Sequence, residues 1–165
     1  MTRVRDLVSY METLAPHNYA EEWDNVGLQV GKLDNEVKKV FLALTPSEKV
    51  LRNAQAKKAD MIITHHPLFF KGIKHLSDEL PLGKMVYTLI EQKMTLYSAH
   101  TNLDVAPGGV NDILGEYLGV DNMAVLKETY REKMYKMVVF VPSTHIMQVK
   151  EALFDEGAGN LGNYS

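Results

Sequence analysis

The sequence contains no cysteine among its 165 residues. Disulfide bonds, thiolate metal ligands and cysteine nucleophiles are therefore excluded for this chain. A chain without disulfides suits a reducing compartment, so we expect a cytoplasmic protein. Imidazole, carboxylate and hydroxyl groups remain as candidates for metal binding or catalysis, and the chain has six histidines.

Long apolar runs and a strong excess of one charge are also missing. No apolar stretch approaches the roughly 20 residues that a membrane-spanning helix requires. Charged side chains interrupt residues 1–14, so we expect neither a membrane span nor a signal peptide. The formal net charge of −3 argues against non-specific binding to nucleic acid.

Segments typical of strands and helices alternate along most of the chain. Short apolar runs predict strands that begin near Leu28 and that cover residues 37–44, 60–64 and 95–99. The run at 60–64 suits a strand buried on both faces. Apolar residues at helical spacing predict helices over residues 4–14, 45–58, 81–93 and 110–118. This alternation indicates an α/β fold with a mostly parallel sheet flanked by helices, which we assign to residues 1–128.

Two of the predicted helices have recognisable capping residues. We expect Thr2 to cap the first helix. Thr45 suits the N-cap of the second helix, with Pro46 at the first helical position and Glu48 completing a capping box. The sequence therefore predicts that these helices begin directly after Thr2 and Thr45.

The last part of the chain has a different organisation. An apolar run predicts a strand over residues 135–141, and helical spacing predicts a helix over residues 143–156 before a glycine-rich turn. One strand and one helix cannot close a core by themselves. Residues 134–165 are therefore expected to be the beginning of a larger, incomplete unit.

Polar side chains follow two of the predicted strands. His65 and His66 come directly after one strand, and His100 and Asp104 follow the next. In parallel α/β sheets, ligands bind beyond the carboxyl ends of the strands, where such side chains converge if the strands are neighbours. Imidazole and carboxylate suit divalent ions such as Zn²⁺, Fe²⁺, Mn²⁺ or Co²⁺. The sequence therefore predicts a divalent-metal site at this edge.

The direction of the two adjacent histidines depends on where their strand ends. Successive side chains of a strand point to opposite faces, so His65 and His66 diverge if the strand continues. They could then contact two different ions. Pro67 restricts His66 to an extended conformation, which helps to fix its direction. We therefore expect one or two ions per chain.

These residues also have structural interpretations. A His-His-Pro turn can be a surface or capping feature, and Asp104 could form a turn ahead of Pro107. Trp23 is expected to pack in the interior rather than to stack on a base. A weak basic cluster interleaved with Tyr130 and Tyr135 is interpreted as a solvated face, with a nucleic-acid contact as the alternative. Its members are Lys127, Arg131, Lys133 and Lys136.

Three motifs occur in a fixed order along the chain. They are EWDNVGL at residues 22–28, HHPL at residues 65–68, and AHTNLD at residues 99–104 followed by GGVND at residues 108–112. In these motifs the chain resembles the NIF-three-like family, whose members are often named GTP cyclohydrolase 1 type 2 homologs. The resemblance covers nearly the whole chain. It implies a two-lobed α/β protein with a dinuclear metal centre that assembles into a toroidal hexamer.

The resemblance also implies roles for individual residues. His65, His66 and Asp104 match family metal ligands, and His100 matches a position near the site, where it could transfer a proton. Residues 137–142 and the stretch after them are similar to the start of a ferredoxin-like domain inserted between the two lobes of many members.

The sequence departs from the family pattern at two points. Family members take a further His and Glu from a C-terminal lobe, and this chain ends before that lobe. Most members have Asp where this chain has Thr45, which can cap a helix but supplies no carboxylate. Three or four protein groups still suffice to bind one ion. The missing lobe leaves apolar surface to be covered, so we expect association with another chain.

Two functions follow as hypotheses. The first is a metal-dependent hydrolase, such as one that opens a purine nucleotide ring, in which the metal lowers the pKa of its bound water. The second is a non-catalytic metal-binding or regulatory assembly protein that acts through protein partners. The acidic net charge makes nucleic-acid binding the least favoured function.

Overall fold

The computed structural model describes residues 1–126, 128 and 135–159 of the chain. The chain divides into two compact units, Met1–Arg131 and Glu132–Ser165. The first unit contains the sheet. The described residues of the second contain one α-helix, preceded by a short 3-10 helix.

Strands and helices alternate in the first unit, as the sequence pattern predicts. Its strands are β1 (Gly27–Val30), β2 (Val40–Ala43), β3 (Met61–Thr64) and β4 (Thr95–Ser98). Its helices are α1 (Val4–Leu14), α2 (Glu48–Ala56), α3 (Pro81–Glu91), α4 (Thr101–Val105) and α5 (Val110–Leu118). The short α4 and a 3-10 helix at His17–Tyr19 were not predicted. No helix in the described ranges is long and apolar enough to cross a membrane.

The strands of the first unit form one four-stranded sheet in the order β1-β4-β3-β2. β2, β3 and β4 are parallel, and β1 pairs with β4 as an antiparallel edge strand. The predicted mostly parallel α/β sheet is therefore confirmed. Thr64 and Ser98, the last residues of β3 and β4, are paired with each other. The two central strands consequently end at the same edge.

Apolar side chains cover both faces of the central strand β3. Ile62 belongs to one buried cluster, together with Leu51 of α2 and Leu89 of α3. Met61 belongs to a second buried cluster, together with Val4 of α1. Because successive strand residues point to opposite faces, both faces of β3 are buried, as predicted. Beyond Thr64, at the carboxyl end of β3, the chain continues into the polar pair His65 and His66.

The start of α2 corrects a sequence-based prediction. Ser47, not Thr45, is the N-cap, and its hydroxyl accepts a hydrogen bond from the backbone N–H of Val50 at 3.2 Å. The Thr45 hydroxyl instead contacts the ring of His66. The predicted cap is therefore wrong because a tertiary contact engages the side chain that would have made it.

The start of α1 also differs from the prediction. Arg3, rather than Thr2, is the residue before the helix. The Asp6 carboxylate accepts a hydrogen bond of 2.7 Å from the backbone N–H of Arg3. Asp6, in the first turn of the helix, thus accepts a hydrogen bond from the backbone N–H of Arg3, which the predicted Thr2 cap would not satisfy.

One buried hydroxyl of β4 has no hydrogen-bond partner among the described residues. It is the Oγ1 of Thr95, a residue with no exposed surface. Thr95→Val keeps the side-chain shape and removes the unpaired polar group. We expect the free energy of unfolding to rise by about 1 kcal/mol, measured by urea denaturation. Thr13→Val, at an exposed position, is the control, and an equal gain there would contradict the explanation.

The second unit has the predicted helix and lacks the predicted strand. Its helix α6 (Ile146–Asp155) follows a 3-10 helix at Ser143–His145. Residues 135–142 form no strand, and Phe140 is 95% exposed. The strand prediction is wrong because an apolar run forms a strand only where a second strand pairs with it, and none does in the described part of this unit.

Most of the weak basic cluster lies outside the described residues. This applies to Lys127, Tyr130, Arg131 and Lys133, whereas Tyr135 and Lys136 are described and exposed. The nucleic-acid alternative therefore stays a prediction.

Candidate metal centre

Buried hydroxyl groups join the ends of β3 and β4. Thr64 Oγ1 lies 3.0 Å from Ser98 Oγ, and both residues are buried. Both hydroxyls also donate to the backbone carbonyl of His66, at 2.8 Å from Thr64 and 3.3 Å from Ser98. These bonds fix the path of the chain as it leaves β3, and with it the origin of the two adjacent histidine side chains.

Three imidazole rings meet beyond this edge. The ring centroids lie 5.1 Å apart for His65 and His66, 4.9 Å for His65 and His100, and 5.6 Å for His66 and His100. One nitrogen of each ring lies within 4.8 Å of those of the other two. β3 ends at Thr64, so the alternation that would separate His65 from His66 does not apply to them.

His65 is held in one tautomer by the backbone. Its Nδ1 lies 3.0 Å from the carbonyl oxygen of Ala99, which can only accept a hydrogen bond, so Nδ1 carries a proton. In the neutral ring Nε2 then presents a lone pair, and this atom lies 3.5 Å from Asp104 Oδ1. A lone pair and a carboxylate repel each other unless a proton or a metal cation lies between them. The arrangement therefore suits a cation shared by the two side chains.

A carboxylate from a distant loop orients His100. The ring Nδ1 lies 3.0 Å from both oxygens of Asp24, whose side chain has no exposed surface. Asp24 also accepts hydrogen bonds from the backbone N–H groups of Thr101 and Asn25, at 3.0 and 2.8 Å, and from the Thr101 hydroxyl. Burial acts to raise the pKa of the Asp24 carboxyl, but these hydrogen bonds outweigh it and leave the pKa below its ordinary value. The ionised carboxylate accepts Nδ1–H of His100 and leaves Nε2 available to the cluster.

The hydrogen-bond partner of His66 does not fix the tautomer of its ring. Its Nδ1 lies 2.7 Å from Thr45 Oγ1. Because a hydroxyl both donates and accepts, Thr45 does not decide which nitrogen of His66 carries the proton. A carboxylate at this position can only accept, and it would leave Nε2 of His66 free to bind a metal.

Exchanging the side chain at position 45 tests this reasoning. We expect Thr45→Asp to strengthen zinc binding about tenfold, because a carboxylate fixes the tautomer of His66. Thr45→Val has nearly the same shape without the hydroxyl, and it is expected to weaken zinc binding. Competition with a chromophoric chelator measures both affinities. The same affinity in all three proteins would show that residue 45 does not position His66.

The donor atoms of this edge fit a divalent metal. Imidazole nitrogens and a carboxylate oxygen are ordinary ligands of Zn²⁺, Fe²⁺, Mn²⁺ and Co²⁺. Two nitrogens that bind one Zn²⁺ at about 2.0–2.1 Å lie at most about 4 Å apart. The nitrogens here lie within 4.8 Å of one another. The cluster can therefore close on one ion by a small movement of the rings, or its members can be divided between two ions.

The structure brings the four predicted site residues together and adds a fifth. His65, His66 and His100 form the three-ring cluster, and Asp104 approaches it through His65. The sequence assigned proton transfer to His100, whereas the geometry groups this ring with the other two. Asp24 was not predicted as a site residue. The only feature of the sequence that points to Asp24 is its position in the EWDNVGL motif, and that motif does not indicate a contact with His100.

The fold and the site together define the class of this chain: it is an α/β protein with a mostly parallel sheet. Histidines and carboxylates at the carboxyl edge of that sheet form a candidate metal pocket. Residues 2–164 match the model of the family Duf34/NIF3 (NGG1p interacting factor 3), and the chain belongs to that family. The resemblance drawn from the three motifs is thereby confirmed.

Similar proteins come from bacteria and an archaeon. The GTP cyclohydrolase 1 type 2 homolog of Bacillus subtilis is 40% identical over 161 residues, which cover 98% of this chain and 43% of that protein. The solved structure of a Bacillus cereus protein related to NIF3 has a TM-score of 0.78 and 44% identity, over 100% of this chain and 46% of the other. Reduced HcgD from Methanocaldococcus jannaschii has a TM-score of 0.69 and 40% identity, over 73% and 48%. The chain thus spans less than half the length of these relatives.

Proposed function

We propose that the chain binds a divalent metal and supports metal-dependent hydrolysis. His65, His66 and Asp104 would hold the ion, with His100 beside it. One observation carries the proposal: His65 Nε2 and Asp104 Oδ1 face each other at 3.5 Å next to two further imidazoles. A cation between these groups removes the repulsion that the neutral ring and the carboxylate otherwise have.

The residues around the cluster have distinct roles in this proposal. A bound divalent ion lowers the pKa of its water and polarises the substrate. His100 would accept a proton at Nε2, because Asp24 engages its Nδ1–H. The His65 and His100 side chains are 19% and 14% exposed, so each keeps some surface in contact with solvent.

The relatives from Bacillus subtilis and Listeria monocytogenes, among others, carry the name GTP cyclohydrolase 1 type 2 homolog. That name supports a purine nucleotide as the first substrate to test, with a simple phosphoester as the second. In the experiment, metal-loaded protein is compared with the His65→Ala, His66→Ala double variant for turnover of GTP and of p-nitrophenyl phosphate. Turnover is expected to be lost in the double variant and kept in His75→Ala, which removes an exposed histidine. Equal turnover by the wild type and the double variant would overturn the hydrolase proposal.

The exposed face of β2 favours a second candidate function, a metal-binding assembly protein without catalysis. Val40, Leu42 and Leu44 are 37%, 73% and 66% exposed. Val40 and Leu42 alternate along β2 and so lie on one face, and Leu44 follows the end of the strand. We propose that a second copy of the chain covers this face, in line with the oligomer that the resemblance implies.

Light scattering tests this candidate. Leu42→Lys is expected to lower the molar mass of the assembly, because it places a charge in the covered face. Oligomers that bind metal without turnover would favour the assembly function over the hydrolase. A monomeric wild type, or an unchanged mass in the variant, would contradict the proposed interface.

A further inference from the structure

An open pocket of about 400 Å³ lies beside the histidine cluster. The loop that carries Asp24 forms one side, and the loop after the adjacent histidines forms the other. The lining includes Trp23, Asn25, Phe69, Phe70, Lys71 and Ile73. The volume lies within the range of about 300–1,000 Å³ that is typical of small-molecule pockets.

Hydrogen bonds tie the two sides of this pocket together. Asn25 Nδ2 donates to the carbonyl of Phe69 at 2.6 Å. Gln29 connects both sides, because its Nε2 donates to the carbonyl of Asn25 at 2.9 Å and its Oε1 accepts from the backbone N–H of Phe69 at 3.3 Å. The two loops are therefore joined before any ligand binds, which lowers the entropy cost of binding.

The aromatic side chains of the pocket are exposed. Trp23 was expected to pack in the interior, but it is 61% exposed, and Phe70 and Ile73 are 51% and 46% exposed. Both aromatic rings stand nearly perpendicular to the His100 ring, with centroids at 6.2 Å for Trp23 and 5.6 Å for Phe70. The prediction for Trp23 fails because its aromatic neighbour is His100, at the open edge of the sheet, rather than a core residue. Exposed aromatic surface of this kind, beside convergent polar groups, is typical of a ligand site.

We propose that this pocket binds the planar heteroaromatic ring of a phosphate-bearing ligand such as a purine nucleotide, with Trp23 and Phe70 as stacking partners. Planar rings stack on aromatic side chains whatever their hydrogen-bonding pattern. The exposed ammonium of Lys71 is in the same lining and supplies the charge that an anionic group requires. The inference rests on the proposed function in one respect: it places the ring of the substrate next to the cluster proposed to act on it.

The single tryptophan of the chain provides a direct readout. The full chain is titrated with adenosine 5′-monophosphate in the presence of EDTA, and Trp23 emission is followed. Saturable quenching is expected with the nucleotide and not with ribose 5-phosphate, which lacks the ring. Phe70→Leu is expected to weaken nucleotide binding about tenfold, because it keeps apolar bulk but removes the stacking surface. Tyr117→Leu is the matched control, since it removes an aromatic side chain that is 87% exposed on α5.

Lys71→Gln tests the second half of the proposal. It is expected to weaken binding of adenosine 5′-monophosphate several-fold and to leave binding of adenosine unchanged. Equal effects on the two ligands would overturn the assignment of Lys71 to the phosphate. Equal quenching by ribose 5-phosphate, or no nucleotide binding at millimolar concentration, would overturn the pocket as a ring-binding site. A loss of assembly mass in Phe70→Leu without nucleotide binding would overturn it in favour of a protein interface.

This experiment separates the pocket from the metal chemistry. Because EDTA is present, nucleotide binding does not depend on the cluster being loaded. Nucleotide binding without any turnover by metal-loaded protein would support the proposed pocket and contradict the hydrolase proposal. Turnover of a nucleotide with the same KM in Phe70→Leu as in the wild type would contradict the proposed pocket and support the hydrolase proposal.

Discussion

Replacing both His65 and His66 by alanine is expected to weaken zinc binding by more than about 100-fold, because two of the three proposed metal ligands are removed at once. The two histidines leave β3 at a turn fixed by buried hydroxyls, which holds the origins of both side chains in place. Elemental analysis of protein purified without chelator and a chromophoric zinc competition both measure the loss.

His75→Ala is the matched control for this double variant, since it removes an exposed imidazole. It is expected to bind zinc as the wild type does. Zinc affinity that is unchanged in the double variant would show that the cluster is not the metal site. Metal-free double variant should still unfold cooperatively in urea, but with a free energy of unfolding lower by about 1–3 kcal/mol, because it loses the hydrogen bonds of His65 to Ala99 and of His66 to Thr45.

The second large effect is expected at Asp24. Asp24→Leu leaves the Nδ1–H of His100 and the backbone N–H of Thr101 without their acceptor in a buried setting. We expect the free energy of unfolding to fall by about 3–5 kcal/mol, measured by urea denaturation. Asp24→Asn keeps the volume and part of the hydrogen bonding, so its loss of stability should be smaller.

Asp24→Asn also separates positioning from folding. An amide can turn its NH₂ group towards His100 and then no longer fixes the Nδ1–H tautomer, which leaves Nε2 of His100 less often free to accept a proton. Turnover by the metal-loaded protein is therefore expected to fall by about tenfold while the protein stays folded. Asp78→Asn, at an exposed position, is the control and should change neither property. Wild-type turnover by folded Asp24→Asn would show that Asp24 supports the fold alone.

The parallel sheet and the meeting of two strand ends could be predicted from local patterns. The short apolar run before His65 and the one before His100 each indicate a buried strand, and parallel neighbours end at one edge. Asp24 could not be found in this way, because it lies 76 residues from His100 in sequence and reaches it only through the folded loop. Local pattern carries no information on which distant carboxylate meets which ring.

Two of the wrong predictions have a related cause. Thr45 has the residue type and the spacing of an N-cap, but a contact with His66 engages its hydroxyl and Ser47 caps α2. Residues 135–141 have the composition of a strand, but composition does not supply a pairing partner. In the first case a tertiary contact overrules the local preference, and in the second the described residues offer no strand to pair with.

The origin of the cluster on two separate strands has a thermodynamic consequence. His65 and His100 approach each other only when Thr64 and Ser98 are paired, so the unfolded chain has no comparable site. A ligand that binds the native state alone stabilises it by mass action, by about 2.7 kcal/mol at a free concentration 100 times its Kd. The melting temperature of this chain should therefore rise with the concentration of the metal that it prefers. A thermal-shift series across divalent ions would rank those ions without an assay of any reaction.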